Sequence, residues 1–420
     1  MFKVKAVAAV AMALAAAGAA QAVQVDYRGQ VLLAPIYLTT GGYSTNVKVV
    51  NHDTTSAVKA KLVLRSQKHS QECRDVILYL SPGDVAEVDL TANSNAKHAT
   101  ITSTDDSLLS GLDGTTPIFA SNRAYSSVTS GANLLPTEAS TADTCAVGHI
   151  EVIGAYRVSG VVATDAGNVT VRQGMTKGDL YKIFSSDAAR LRALNPSLAT
   201  ITSENVNSLS AVVDLHNASG DSTSIQATAL RSETTVVDLI RNRAGNVPFD
   251  VLTSAETLIG LGWLAGLDSL ANIEAALGTT VLSSVYQKAA GQETNLIMTF
   301  PTRYRYLTSR TALTYAPPFQ SNGSYAYTVE SFDNFENSRQ VAGCFESPCA
   351  VGTQSFISDE VNYIVTAGIN NFFFADKGWF RLTLTPAVSA GAPGSGRAAS
   401  VLGYTHRFKG QQSVVNELVR

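Results

Sequence analysis

The sequence predicts a mainly β protein, built as antiparallel β-sandwiches with two helical insertions. Three observations carry that prediction. Runs of roughly six to eight residues alternate apolar and polar side chains. Turn-forming clusters separate them, and in two stretches the apolar spacing changes to that of a helix.

The strand text begins at Val31. Val47 and Val49 alternate with polar neighbours before the turn cluster Asn51-His52-Asp53. Val58 to Arg65 alternates over its first half, and Asp75 to Leu80 follows as another strand. Ser81-Pro82-Gly83-Asp84 is a strong turn signal, because Pro fixes φ and Gly tolerates positive φ. Ala86, Val88 and Leu90 then alternate with Glu87 and Asp89. Ala92 to Thr115 reads as loop, and Ile118 to Ala120 and Val147 to Val158 as strands. Ala211 to Leu215 and Thr223 to Leu230 read as strands too.

The first helical stretch is Thr176 to Leu194. Thr176 and Asp179 resemble a capping box, Leu180, Ile183, Phe184, Ala188 and Leu191 recur at helical spacing, and Asn195-Pro196 stops the run. The second is Thr234 to Ala290. It ends in a short helix from Ser269 to Leu277 with Gly278 at its C-terminal stop. Strand text returns from Asn295, with Leu296 to Leu307, Tyr325 to Phe332, Asn362 to Ala367, Trp379 to Leu384 and Ser400 to Phe408 as candidates. Ala390 to Arg397 is a Gly/Pro/Ser loop. The expected organisation is a signal peptide at 1–22, a β-sandwich region at 23–175, a mixed region with the helical insertions at 176–290, and a β region at 291–420.

The first segment reads as a cleavable export signal. Lys3 and Lys5 form a positive start, Ala6 to Ala20 is apolar, and Ala20-Gln21-Ala22 offers small residues at the cleavage positions. No later stretch has the roughly 18 uninterrupted apolar residues of a membrane helix. The formal net charge is −3, and loss of Lys3 and Lys5 takes it to −5. That balance supplies no basic footprint for nucleic acid. The expected location is extracellular, at the cell surface, with the periplasm as the alternative.

Four cysteines in an exported chain suggest disulfides, and four allow three connectivities. Cys344 and Cys349 close a small loop around Pro348, so the preferred pairing is Cys344–Cys349 with Cys73–Cys145. A zinc site is disfavoured, since the Cys344–Cys349 spacing is not C-x-x-C and no His lies near it.

No enzymatic motif appears. Gly260-x-Gly262-x-x-Ala265 lies in an apolar, helix-like segment and lacks the strand and acid of a dinucleotide site. Gly391 to Gly396 lacks the Lys-Ser/Thr of a phosphate loop. His52, His69, His98, His149, His216 and His406 are scattered, and His149 and His406 sit on candidate strands, where packing is the ordinary role. A Ser-His-Asp site is defined by geometry and needs no sequence spacing. Asp105-Asp106, Asp333 with Glu336, and Asp359-Glu360 are the acidic groups from which a calcium site would have to come, and none has an EF-hand layout. No cofactor is expected. Tyr304, Tyr306, Tyr325, Tyr327, Phe372, Phe373, Phe374, Trp379 and Phe380 form the densest aromatic set. Alternate members belong to the core, and the rest offer a contact or sugar-stacking surface.

Two groups of short segments follow one another in order along the chain. Leu33-Ala34-Pro35-Ile36-Tyr37, Asn46 to Asn51 and Leu78 to Asp84 come early. Asn272 to Leu277, Met298 to Arg303, Glu360-Val361-Asn362, Gly378-Trp379 and Val401-Leu402-Gly403-Tyr404 come later. In these segments the chain resembles a family of secreted proteobacterial cell-surface or S-layer-like proteins. The resemblance implies an envelope or extracellular β-sandwich and carries no active-site residues. The expected function is therefore a structural subunit of a surface layer, coat or fibre, without catalytic activity, whose partners are copies of itself or other envelope components. The alternatives are a secreted adhesin recognising glycan or protein, a secreted hydrolase with a composite site, and an outer-membrane barrel.

Overall fold

A computed structural model describes residues 24–103, 144–185, 206–231, 273–341, 355–389 and 396–420, short breaks inside these ranges aside, and the strand at 125–126. The expected signal segment, Cys344, Cys349 and the Gly260–Ala265 motif lie outside the described residues. So do Ile118–Ala120, Asp105-Asp106 and most of the second helical stretch.

In chain order the first strands are β1 (Gln24–Asp26), β2 (Val31–Leu38), β3 (Tyr43–Asn51), β4 (Ser56–Ser66), β5 (Glu72–Leu80), β6 (Val85–Ala92), β7 (Ala99–Thr102) and β8 (Tyr125–Ser126). They continue with β9 (Val147–Ser159), β10 (Val161–Thr164), β11 (Gly167–Thr170), helix α1 (Lys177–Ser185), β12 (Leu209–Asn217), β13 (Ser222–Gln226) and β14 (Thr228–Arg231). The later strands are β15 (Val281–Gln287), β16 (Gln292–Thr299), β17 (Leu307–Ser309), β18 (Thr314–Tyr315), β19 (Tyr325–Asp333) and β20 (Ser338–Val341). Last come β21 (Ser355–Ile357), β22 (Val361–Ile364), β23 (Lys377–Thr385), β24 (Leu402–Lys409) and β25 (Gln412–Glu417).

Among the described residues four larger antiparallel sheets result, beside the two-stranded β10–β11 and β17–β18 ribbons. Sheet I runs β13-β12-β3-β6-β7-β8 and sheet II runs β1-β14-β2-β9-β4-β5. Sheet III runs β22-β16-β24-β25, and sheet IV runs β15-β23-β19-β20 with β21 also on β19. Period-two alternation builds the first sandwich. Val47, Val49, Ala86, Val88, Leu90, Ala211 and Val213 of sheet I meet Val58, Ala60, Leu62, Leu64, Ile150 and Val152 of sheet II. In the second sandwich Leu296 and Met298 of sheet III meet Leu282, Tyr327, Val329, Phe380 and Leu382 of sheet IV.

The two sandwiches are stacked. Ile297, Val361, Leu402 and Tyr404 point away from sheet IV and join the first core. Val361 N–H donates to Gln67 O at 2.9 Å, and Thr299 Oγ1 donates to Pro35 O at 2.5 Å. Beside them, α1 and the β10–β11 hairpin pack Met175, Leu180, Ile183, Phe184 and Val162 onto Ala57, Ile77 and Tyr79 of sheet II. Sheet II is thereby covered on both faces. Alternation of the kind seen in Val58 to Arg65 ordinarily marks a strand with one wet face. Here every residue of β4 is buried, Lys59, Lys61 and Arg65 included. Lys59 Nζ sits 5.8 Å from the ring centroids of both Tyr79 and Tyr156, in cation–π contact.

The mainly β architecture matches the sequence expectation, and so do several local signals. Gly83 takes φ +71°, and Asp84 N–H closes the turn on Ser81 O at 3.1 Å. Thr176 Oγ1 accepts the Asp179 N–H at 3.1 Å, half of the capping box, and Lys177 Nζ pins the helix to Asp84 at 2.7 Å. Three local expectations are corrected. β7 lies inside the expected loop Ala92–Thr115, where Ala99 and Ile101 face the core. β15 lies inside the expected helical stretch Thr234–Ala290, because Leu282 and Tyr286 face inward while Val281 and Val285 face out. The expected strand Leu296–Leu307 ends at Thr299. Pro301 follows and the chain turns through a 3-10 segment, Arg303–Tyr306.

Cys73 on β5 is disulfide-bonded to Cys145, which precedes β9, across 72 residues of sequence. Tyr37 Oη donates to Cys145 O at 3.1 Å beside the bridge. Closing a loop of that length restricts the unfolded chain by about 4 kcal/mol in the entropic account. The paired variant Cys73→Ser/Cys145→Ser is expected to lose several kcal/mol of stability in chemical denaturation, with the fold retained by circular dichroism.

Candidate functional site

The residues singled out from sequence fall into different settings. Tyr304, Tyr306, Tyr325, Tyr327, Phe373 and Phe380 are core, whereas Trp379 is exposed. His406 is buried and meets Tyr363 Oη through Nδ1 at 2.8 Å. Asp333 is spent on its own turn. Its carboxylate accepts the Phe335 and Asn337 N–H groups at 2.8 and 2.9 Å and Asn337 Nδ2 at 2.8 Å. Among the described residues no three His, Cys, Asp or Glu side chains are placed to hold a metal ion. One contact was invisible in sequence: His52 Nε2 lies 2.7 Å from Ser210 Oγ. Among the described residues no carboxylate orients the other ring nitrogen of His52.

The most unusual setting is a buried charged slot between sheets II and III. Arg65 and His149 are register partners on β4 and β9, and Glu151 lies two residues further along the same face. Gly148 makes the close approach of β9 to β4 possible, since a Cβ there would sit 1.7 Å from Arg65 O. Arg65 Nε donates to Glu151 Oε2 at 2.8 Å, and its guanidinium lies 4.5 Å from the centroid of the Tyr304 ring. His149 Nε2 is 3.6 Å from Glu151 Oε1, and His149 Nδ1 is 3.7 Å from Glu360 Oε1. His149, Glu151 and Glu360 are all 0% exposed. Glu360 enters from the second sandwich, just ahead of β22. Arg303 of the same sandwich reaches back, donating to Gly323 O and Ser358 O at 2.8 Å each and to Lys68 O of the first sandwich.

The two carboxylates differ in their electrostatics. Burial pushes Glu151 up, but Arg65 and then His149 outweigh it and hold the carboxyl below its usual range. Burial pushes Glu360 up to about 7, against the opposing pull of His149, Ser70, Arg303 and Arg65. The three side chains are closed off from bulk solvent, so what they offer one another is proton donors and acceptors.

The second setting is the outer face of sheet IV. The register sets Ser338, Phe332, Trp379 and Val285 side by side across four strands. Phe332 and Trp379 stack with centroids 3.8 Å apart and planes 3° from parallel. The next outward row holds Glu330 and Arg381, ion-paired at 2.5 Å, with Ser283. Thr328, Thr383 and Val281 form the row beyond it. Phe335 in the adjoining turn is 85% exposed, Val285 54%, Phe356 46% and Trp379 37%. Exposed apolar side chains gathered on one face and rimmed by polar groups mark a contact surface.

Removing one partner of a buried pair strands the other charge, at a cost of about 3–5 kcal/mol. Glu151→Gln is therefore expected to destabilise the protein by roughly that much in urea titrations at neutral pH. The depressed Glu151 carboxyl stabilises the fold above its ordinary value, and that contribution is lost as pH falls through its folded value. The penalty of E151Q should accordingly shrink in acid.

No protein-family model matches the chain, and comparison with curated proteins and with solved structures finds no match.

Proposed function

We propose that the protein is an exported structural component of a cell surface, and that it assembles with copies of itself through the outer face of sheet IV. The observation that carries this reading is the Phe332–Trp379–Val285 row. Three strands present apolar side chains in register, next to a row of mixed charge. Apolar centres with polar rims are the anatomy of protein contact surfaces. The charged and polar rim, with Lys377 and Arg381 near Glu330 and Asp333, supplies both signs for a twofold contact between identical faces. The Cys73–Cys145 disulfide suits an oxidising compartment. Among the described residues no helix is long and apolar enough to cross a membrane.

The test is negative-stain electron microscopy and sedimentation of the chain from Val23 onward, with calcium and with chelator. Wild-type protein is expected to form ordered sheets or filaments, and Trp379→Ser/Phe332→Ser is expected to abolish them while the melting temperature shifts little. Wild-type protein that stays monomeric in every ionic condition would sink the proposal. A wild-type monomer that retains glycans on an array, with retention lost in the double variant, would move the same face to the adhesin reading.

A second reading, a secreted hydrolase, has one contact in its favour. His52 is within hydrogen-bond distance of Ser210, as a base and nucleophile must be. Burial and then Arg28 lower the His52 pKa, which keeps the imidazole neutral. Turnover on an ester panel that disappears in Ser210→Ala would establish it. Equal background in both proteins would remove it.

A further inference from the structure

We propose that the slot formed by His149, Glu151 and Glu360 is a proton-operated latch that clamps the second sandwich onto the first, and that it loosens when the slot gives up one proton to water.

The argument starts from hydrogen-bonding capacity. His149 stands between two carboxylates, one toward each ring nitrogen, at 3.6 Å on the Glu151 side and 3.7 Å on the Glu360 side. A neutral imidazole carries one N–H and one lone pair. It can serve one carboxylate, and the other then faces a lone pair in a fully buried position. One further proton in the slot makes both contacts attractive. Among the described residues no further hydrogen-bond partner competes for His149 Nδ1, His149 Nε2 or Glu151 Oε1, whereas the Ser70 hydroxyl also pulls on the Glu360 carboxyl. Buried polar atoms left in this state are costly, so the slot favours the protonated form.

The surrounding groups set the balance. Arg65 from β4 is committed to Glu151 and to the Tyr304 ring. Arg303 from the 3-10 segment is committed to three carbonyls. Ser70 lies beside Glu360 in the β4–β5 connection, and His69 of the same connection turns instead to Tyr315 Oη at 3.3 Å. Both arginines lower the Glu360 pKa, but burial dominates and leaves it near 7. A group whose folded value is raised contributes stability that is full below its unfolded value, about 4.5, and is lost as pH rises through about 7. Glu274 on the helical turn at 273–277 moves the same way, pushed to about 7 by burial against Arg397, and its neighbours Ile273 and Leu277 also dock into the first core. Glu151 is already ionised across that window and leaves the sign unchanged.

The latch sits where loosening has consequences. Glu360 immediately precedes Val361, whose N–H donates across the inter-sandwich contact to Gln67 O. Hydrogen exchange at that amide, corrected for its intrinsic pH dependence, reads the contact directly in the full chain. The opening constant is expected to rise on the order of 10- to 70-fold from about pH 5 to about pH 8, the ceiling being the part of the Glu360 shift that falls in that window. Glu360→Gln is expected to remove most of the rise, while Glu274→Gln leaves the Val361 profile pH-dependent. A flat wild-type profile, or an E360Q profile with the wild-type slope, overturns the latch. Should E360Q fail to fold, the side-chain carboxyl carbon resonance of Glu360 in the wild-type protein decides. A midpoint near 7 upholds the proposal, and a midpoint in the ordinary glutamate range overturns it.

Discussion

Arg65 and Glu151 meet at 2.8 Å on a face of sheet II that water does not reach, and covering that face is tolerable only because the two charges answer each other. An open sandwich would leave this face wet, and the charges would cost nothing. Because sheet III covers one end of the face and α1 the other, each charge there needs a partner from the protein. Arg65 finds Glu151 and Tyr304. Lys59 finds two tyrosine rings. Arg303 finds three backbone carbonyls. Such pairs stabilise weakly compared with apolar packing. They also penalise any misaligned docking, since a shifted sheet III would strand several charges at once.

That demand shapes what surrounds it. Gly148 keeps the backbones of β9 and β4 close enough to set Arg65 and His149 side by side. Thr299 reaches Pro35 and Val361 reaches Gln67, so the contact between the sandwiches is hydrogen-bonded as well as apolar. Sheet IV, by contrast, covers only its inner face. Its outer face is where Phe332 and Trp379 stack in the open. The molecule therefore separates its two unusual chemistries. Charge is hidden in the middle of the stack, and apolar surface is shown at one end.

Much of the architecture was legible in the residues. Period-two runs located β3, β6, β19 and β23, a Pro-Gly turn separated β5 from β6, and Thr176 marked the start of α1. What escaped has physical causes. β15 has only Leu282 and Tyr286 as strong inward residues, too few to break a helical reading of its neighbourhood. β7 spans four residues, of which two face the core. The polar side of β4 looked like a solvent face because burial by a second sheet leaves no local trace in a strand. The slot was still harder to see. His149 and Glu360 lie 211 positions apart, and only the stacking of sheets brings them together. The acidic pair Asp359-Glu360 reads in sequence as a source of calcium ligands, whereas Glu360 is fully buried beside His149. The row on sheet IV was partly visible, since Trp379 belonged to the aromatic set from which a contact surface was expected. Phe332, its stacking partner, was missed because only register places it there.

The bridge from Cys73 to Cys145 has a mechanical meaning. β6, β7 and β8 belong to sheet I, but they lie within a covalent loop whose two ends are both anchored at sheet II. A pulling force applied at the chain ends passes through the sulfur atoms and bypasses that loop. About 72 residues, or roughly 240 Å of extensible contour, are withheld from the load. A molecule stretched between neighbours would lengthen less than its residue count implies, and half of the strands of sheet I would be shielded while the rest of the first sandwich bears tension.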